Sequence, residues 1–191
     1  MTGDTRERIL GAAVVCVGRS GFAKTSIEAV AAEAGVGRAT IYRYFPGGKD
    51  EVFAQTIAWE VFLFFQRLAV EVGDEGGLAE RLEAGLRFAH RELADHEVFQ
   101  KVVETEPERL LPHLSQSGPL ITAALSDYLE PLLAESNLVP GTPIAETADF
   151  LARMVLSYII GEGSWDLDDP AQVGELVREQ LLAGVLASDD S

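Results

Sequence analysis

Five side chains that can donate hydrogen bonds lie within a segment of seven residues: Arg38, Thr40, Tyr42, Arg43 and Tyr44. An arginine can bind a guanine edge through two N–H groups or hold a phosphate, and hydroxyls reach phosphate oxygens. Ile41 and Phe45 recur at a spacing of four, which places them on one face of a helix. The segment therefore predicts a short helix with an apolar inner face and an outer face suited to nucleic acid.

The residues before this segment predict a second helix that is joined to it by a tight turn. Thr25 precedes an apolar run and Glu28 follows three residues later, so the two side chains can cap a helix over 27–34. Gly35 tolerates the positive φ that ends a helix, and the next helix is expected over 38–44. Two short helices around such a turn are typical of a helix-turn-helix DNA reader.

The distribution of charge supports this interpretation, although an isolated basic helix is more often a solvated surface. The net charge is −16, but residues 1–50 carry seven Lys or Arg against five Asp or Glu. Residues 51–191 carry eight against twenty-six. An acidic body repels phosphate and turns the basic end toward DNA.

The first quarter of the chain resembles the N-terminal domain of the tetracycline-repressor (TetR) family. The shared motifs are RERILGAA at 6–13, Gly21-Phe22, Thr25-Ser26 and TIYRYF at 40–45. Family members often open the recognition helix with Ser or Thr, whereas this chain has Gly37. The resemblance implies a three-helix DNA-binding domain and carries Lys49 over as a phosphate contact. The DNA-binding residues that we predict are Thr25, Arg38, Ala39, Thr40, Tyr42, Arg43, Tyr44 and Lys49.

The remainder of the chain predicts helices without any alternating strand pattern. The expected helices cover 50–72, 78–93, 96–105, 117–136, 143–161 and 170–187, with connections over 107–118 and 137–143. Asp169 is the expected cap of the last helix. The predicted fold is all-α, with a helix-turn-helix domain over 1–50 and a helical ligand-binding and dimerisation domain over 51–191.

Two of these helices carry apolar stripes that could either close the core of one subunit or pair with a second copy. Apolar periodicity alone does not separate these alternatives. The resemblance implies a homodimer that forms through a four-helix bundle of the last two long helices. The predicted interface residues are Leu151, Val155, Ile159, Val177, Leu181 and Gly184.

The middle of the chain is the expected place for a sensor of a small, apolar effector. Aromatic residues that could line a pocket are Trp59, Phe62, Phe65, Phe88, Phe99, Tyr128, Tyr158 and Trp165. Aromatic residues at helical spacing more often form a core, so these residues indicate the region of a pocket and are not assigned as individual ligand contacts. A regulator of the same fold that answers to a protein partner is the alternative.

Other classes of protein fit the sequence poorly. The chain lacks the spacing of a zinc site, a nucleophile elbow or a P-loop, so neither an enzyme, a metal nor a cofactor is expected. Cys16 is the single cysteine, and no apolar run is long enough to cross a bilayer. We therefore expect a cytoplasmic homodimeric repressor that binds a palindromic operator in double-stranded DNA and leaves it on binding a ligand.

Overall fold

The structure is a computed structural model that describes residues 2–73, 76–161 and 164–187, and helices dominate it. The helices are α1 (Thr2–Lys24), α2 (Ile27–Ala34), α3 (Arg38–Tyr44), α4 (Lys49–Val72), α5 (Leu78–Asp95), α6 (Glu97–Thr105), α7 (Pro107–Ala134), α8 (Ile144–Ile160) and α9 (Pro170–Leu176). A π-helical turn (Val177–Leu181) follows α9. The predicted all-α class is confirmed. Within the described ranges, no helix is long and apolar enough to cross a bilayer.

The bounds of most helices agree with the prediction, and two do not. The sequence predicts a connection over 107–118, but α7 begins at Pro107 and continues to Ala134. Pro107 occupies the first position of α7, where a missing N–H costs nothing, and Leu125, Leu129 and Leu133 are buried along the later part of the helix. The last helix was expected to reach residue 187, but its α-helical part ends at Leu176 and its π-helical turn at Leu181.

The chain divides into two compact units. The first unit contains residues 1–65 and 94–117, and the second contains residues 66–93 and 118–191. These units group the chain by packing, so the functional division at residue 50 stays a prediction. Residues far beyond position 50 nevertheless belong to the unit that holds α1, α2 and α3.

The core of the first unit lies among α1, α2, α3 and the beginning of α4, and α6 contributes Val102 to it. Ile9, Leu10, Ile41 and Phe45 are fully buried there. Trp59 and Phe99 pack against this core while remaining half-buried. The three helices of the N-terminal domain are therefore fixed by one shared core.

Most of the buried apolar residues of the second unit lie on α5, α7, α8 and α9 and on the π-helical turn. The most deeply buried of them include Leu86, Leu129, Leu133, Ala148, Leu151, Val173, Leu176, Val177 and Leu181. Helix α8 contacts the π-helical turn. The chain then turns back, and the Val139 N–H donates to the Val185 carbonyl at 3.0 Å.

Candidate nucleic-acid interface

Helix α3 presents its donors outward because its apolar residues are anchored in the core. Ile41 and Phe45 are fully buried, as their spacing predicts. On the other side, the exposed residues are Arg38, Ala39, Tyr42 and Arg43, whereas Thr40 and Tyr44 are half-buried. Six of the eight predicted DNA-binding residues thus lie on one short helix whose orientation is set by two buried side chains.

The start of α2 is capped by Ser26, so the predicted cap Thr25 is wrong. The Ser26 hydroxyl accepts the Ala29 N–H at 3.2 Å. Thr25 is 1% exposed, and its hydroxyl donates to the Gly21 carbonyl at 2.7 Å. Both residues carry a hydroxyl, and packing of the chain turns Thr25 inward. The Thr25 hydroxyl is therefore engaged inside the first unit, and its predicted contact with DNA stays a prediction.

The turn between α2 and α3 is fixed from both sides. Gly35 adopts the predicted left-handed conformation with φ 64. The Arg8 Nη2 atom donates to the Ala34 carbonyl at 2.6 Å, so a side chain of α1 binds the end of α2. Gly37 precedes α3 as its N-cap and makes no side-chain cap hydrogen bond, as its residue type implies. The sequence reveals Gly35, but the role of Arg8 is visible only in the fold.

A relay of polar side chains holds the loop that follows α3. The Gly47 N–H donates to Glu51 Oε2 at 2.6 Å, and Gln55 Nε2 donates to Glu51 Oε1 at 2.9 Å. Arg6 of α1 in turn donates to Gln55 Oε1. The Gly-rich loop is therefore tied to α4 and α1.

The end of α1 is held by residues of α4, of α6 and of the position between α6 and α7. The backbone at Gly21 has φ 80 and ψ 170, a conformation essentially restricted to glycine. Lys49 Nζ donates to the Phe22 carbonyl at 2.9 Å, and the Ala23 N–H donates to Glu106 Oε2 at 2.9 Å. Lys101 Nζ donates to the Gly18 carbonyl at 2.6 Å. The amine of Lys49 thus has a structural role here, and its phosphate contact stays a prediction.

The two arginines of α3 have different surroundings. The Arg43 guanidinium lies over the Tyr44 ring, 5.3 Å from its centroid. Arg38 Nη1 lies 2.8 Å from Glu28 Oε1 of α2. The backbone N–H of Glu28 itself, the Ser26 hydroxyl and the charge of Arg38 lower the pKa of the Glu28 carboxyl. An ionised carboxylate therefore lies beside a predicted base-reading side chain, and the sequence does not predict this pairing.

The predicted pocket residues divide between the two units. Trp59, Phe62, Phe65 and Phe99 belong to the first unit, and Phe88, Tyr128, Tyr158 and Trp165 belong to the second. Phe62 is 57% exposed and Phe88 is buried, while the other six are half-buried. A separate open groove of about 360 Å³ is lined by Gly118, Pro119, Thr122, Ala123, Asp149 and Arg153. None of the predicted pocket residues lines this groove.

Four of the six predicted interface residues are buried within the single chain. Leu151, Val155, Val177 and Leu181 are at most 6% exposed, whereas Ile159 is half-buried and Gly184 is exposed. Between the two alternatives that the periodicity left open, this burial assigns the four residues to the core of the subunit. Apart from Ala145, the exposed residues of α8 instead recur at steps of three and four: Glu146, Phe150, Arg153, Ser157 and Ile160.

The described residues contain no group of three or more histidine, cysteine or acidic side chains that could hold a metal ion. Cys16 is buried in α1, and burial is the main cause that raises the pKa of its thiol.

Comparison with known proteins identifies the N-terminal region. Residues 9–56 match the family model described as "Bacterial regulatory proteins, tetR family". This range includes α2, α3 and the first part of α4. No curated protein matches the sequence significantly.

Solved structures resemble the chain along nearly its whole length. The TetR-family repressor AlkX from Dietzia sp. strain DQ12-45-1b, implicated in biodegradation of n-alkanes, has a TM-score of 0.68 at 21% identity, covering 94% of this chain and 96% of that one. The complex of SmeT with triclosan has a TM-score of 0.59 at 26% identity, covering 97% and 93%. SmeT represses the multidrug efflux pump SmeDEF of Stenotrophomonas maltophilia. The fatty acid degradation regulator FadR from Bacillus halodurans has a TM-score of 0.57 at 17% identity, covering 93% and 96%.

Proposed function

We propose that this chain, which belongs to the TetR family of bacterial transcriptional regulators, represses transcription as a homodimer that binds a palindromic operator. The exposed face of α3 carries the proposal, because Ile41 and Phe45 anchor it while Arg38, Tyr42 and Arg43 face solvent. A short helix reads only a few base pairs, so a second copy is needed to bind two half-sites about one duplex turn (~34 Å) apart.

The DNA-binding proposal is tested with duplexes selected by the protein from a random-sequence pool. Arg38→Ala and Arg43→Ala should each weaken binding to the selected duplex by about 1–3 kcal/mol, because each removes a possible bidentate contact to a base. Arg91→Ala is the matched control, since Arg91 is an exposed arginine of α5 that pairs with Glu71. Fluorescence anisotropy measures the affinities. Unchanged affinity in both α3 variants would refute the assignment of these arginines.

The exposed stripe of α8 is the proposed surface for dimerisation. Phe150 is 50% exposed and Ile160 is 77% exposed, although both are large and apolar. Exposed apolar residues that recur on one helix face are favourable to bury against a second copy. The open groove shares Arg153 with this stripe. We therefore assign the groove to the dimer interface in preference to the effector site.

Sedimentation velocity tests the dimer. Ile160→Asp and Phe150→Asp should produce monomers, because each places a charge in an apolar contact between copies. Val70→Asp is the matched control, since Val70 is 85% exposed on α4 and lies outside the stripe. A dimer of native size in both stripe variants would place the interface elsewhere.

A small apolar effector that releases the protein from DNA completes the proposal. The complex of SmeT with triclosan shows that a protein of this fold holds a small molecule. Trp59 and Trp165 are intrinsic probes of the two units. Triclosan and other hydrophobic compounds are titrated with and without the selected duplex. Since coupling is reciprocal, an inducer must bind the duplex-bound protein more weakly, by the factor with which it weakens DNA binding.

The alternative effector, a protein partner, is distinguished by the same titration. A compound that binds the protein equally well with and without the duplex is not an inducer. Failure of every compound to alter either the tryptophan fluorescence or duplex binding would favour regulation by a protein.

A further inference from the structure

Glu28 and Arg38 form an ion pair across the turn of the helix-turn-helix. Glu28 Oε1 of α2 and Arg38 Nη1 of α3 lie 2.8 Å apart. Both side chains are more than half exposed, at 54% and 59%. Such an exposed pair adds little to the stability of the fold. Its position on the proposed DNA-facing surface therefore points to a role in DNA binding.

The position of Glu28 on α2 favours a negative charge independently of its pair with Arg38. Glu28 lies in the first turn of α2, where the helix dipole favours a negative charge. Its own backbone N–H, the Ser26 hydroxyl and the charge of Arg38 lower the pKa of the carboxyl, which favours its ionised form. Loss of the arginine would therefore leave a fixed negative charge next to the duplex.

We infer that Glu28 is a specificity-determining residue that holds the Arg38 guanidinium for a guanine edge and opposes its binding to phosphate. The inference rests on the proposed DNA-binding function of α3. A guanidinium has five N–H donors, and guanine presents the neutral acceptors N7 and O6. Arg38 can bind guanine while one N–H remains on Glu28. A phosphate carries a negative charge and is repelled by the adjacent carboxylate, which lowers affinity for unrelated DNA.

A second ion pair of α2 provides a matched control. Glu33 Oε2 lies 2.6 Å from Arg19 Nη1, so this glutamate pairs with α1 instead of the recognition helix. Glu28→Gln and Glu33→Gln remove the same charge from the same helix. If only the removed charge matters, the two variants should change DNA binding equally. If the contact with Arg38 matters, only Glu28→Gln should change the preference for the selected duplex.

The experiment compares a duplex selected by the wild-type protein with a scrambled duplex of equal composition over a range of salt concentrations. Glu28→Gln should tighten binding to the scrambled duplex and steepen its salt dependence by up to about one unit of slope, since Arg38 becomes free to hold a phosphate. The ratio of the two affinities should fall about tenfold. Glu33→Gln should leave that ratio unchanged. In an Arg38→Ala background, Glu28→Gln should no longer alter the ratio.

Equal ratios for Glu28→Gln and Glu33→Gln would overturn the inference, as would a full effect of Glu28→Gln without Arg38. Wild-type binding of the selected duplex by Arg38→Ala would instead refute the proposed base-reading role of Arg38, and this variant leaves Glu28 intact. Circular dichroism melting shows whether each variant is folded. If Glu28→Gln melts early, Glu28→Ala replaces it, because alanine favours a helix.

Discussion

Charged side chains act on different partners in the two units. The first unit has exposed ion pairs such as Arg19–Glu33, but some of its charged side chains bind backbone groups of distant helices, as Arg8 binds Ala34 and Lys101 binds Gly18. In the second unit the described long-range contacts of charged residues are pairs on the surface, such as Arg67–Glu92 and Arg178–Glu83. A bond to the backbone fixes where a helix ends, whereas an exposed pair contributes little. The first unit is thus held in one arrangement, as a DNA reader requires.

The largest difference between the units is expected in the free energy of unfolding that is lost when a glycine with positive φ is replaced by alanine. Gly21→Ala should cost about 3 kcal/mol of the free energy of unfolding, because its backbone conformation strongly disfavours alanine and the new methyl group would overlap Glu106. Gly184→Ala, at φ 73 with open space around it, should cost about 1 kcal/mol. Urea unfolding measures both values. Equal costs would show that the end of α1 is no more constrained than the end of the second unit.

A smaller difference is expected for two cationic side chains. Lys101→Met should destabilise the protein by about 1 kcal/mol, because it removes the donor to the Gly18 carbonyl. Arg91→Met should cost about 0.3 kcal/mol, because the pair of Arg91 with Glu71 at 3.2 Å is about half exposed. Matched unfolding curves measure the difference. A larger cost for Arg91→Met would contradict the contrast between the units.

The smallest effect concerns the caps, since α2 is capped by neutral Ser26 and α9 by the carboxylate of Asp169. Hydrogen bonds from the Ala171 N–H and the Gln172 side chain lower the pKa of Asp169. The stability from this carboxylate is present above its unfolded pKa and is lost as pH falls through the lowered folded pKa.

Asp169→Asn keeps a capping acceptor that does not titrate. The stability of the wild type relative to Asp169→Asn should therefore decrease between neutral pH and about pH 3. Unfolding at several pH values measures the change, with Asp127→Asn as an exposed aspartate control on α7. A difference that stays constant with pH would show that the Asp169 charge does not stabilise α9.

Local signals made the DNA-binding helices predictable. The bounds of α2 and α3 follow from Gly35 and from apolar spacing over a few residues, and both were predicted correctly. The cap of α2 was wrong because Thr25 and Ser26 offer the same hydroxyl, and only packing against α1 selects between them. The pairing of Glu28 with Arg38 spans the turn, so neither residue type alone reveals it.

The C-terminal surfaces were harder to predict for a physical reason. Periodicity identifies the apolar face of a helix but not the molecule that covers it. Leu151 and Leu181 therefore satisfied the pattern of an interface although they lie in the core of the subunit. The exposed residues Phe150 and Ile160 stand out only when solvent exposure is known.

The first unit is discontinuous in sequence, and this affects both its synthesis and its use in engineered proteins. Residues 94–117 return to it after an interval that belongs to the second unit, and they contribute Val102 to the core and Glu106 to the end of α1. During synthesis on the ribosome, the first unit cannot complete its core until residues 94–117 have emerged. A hybrid regulator in which residues 1–50 are fused to the regulatory domain of another protein would lack residues 94–117. A DNA-binding unit that is transferred to another protein must therefore include residues 94–117.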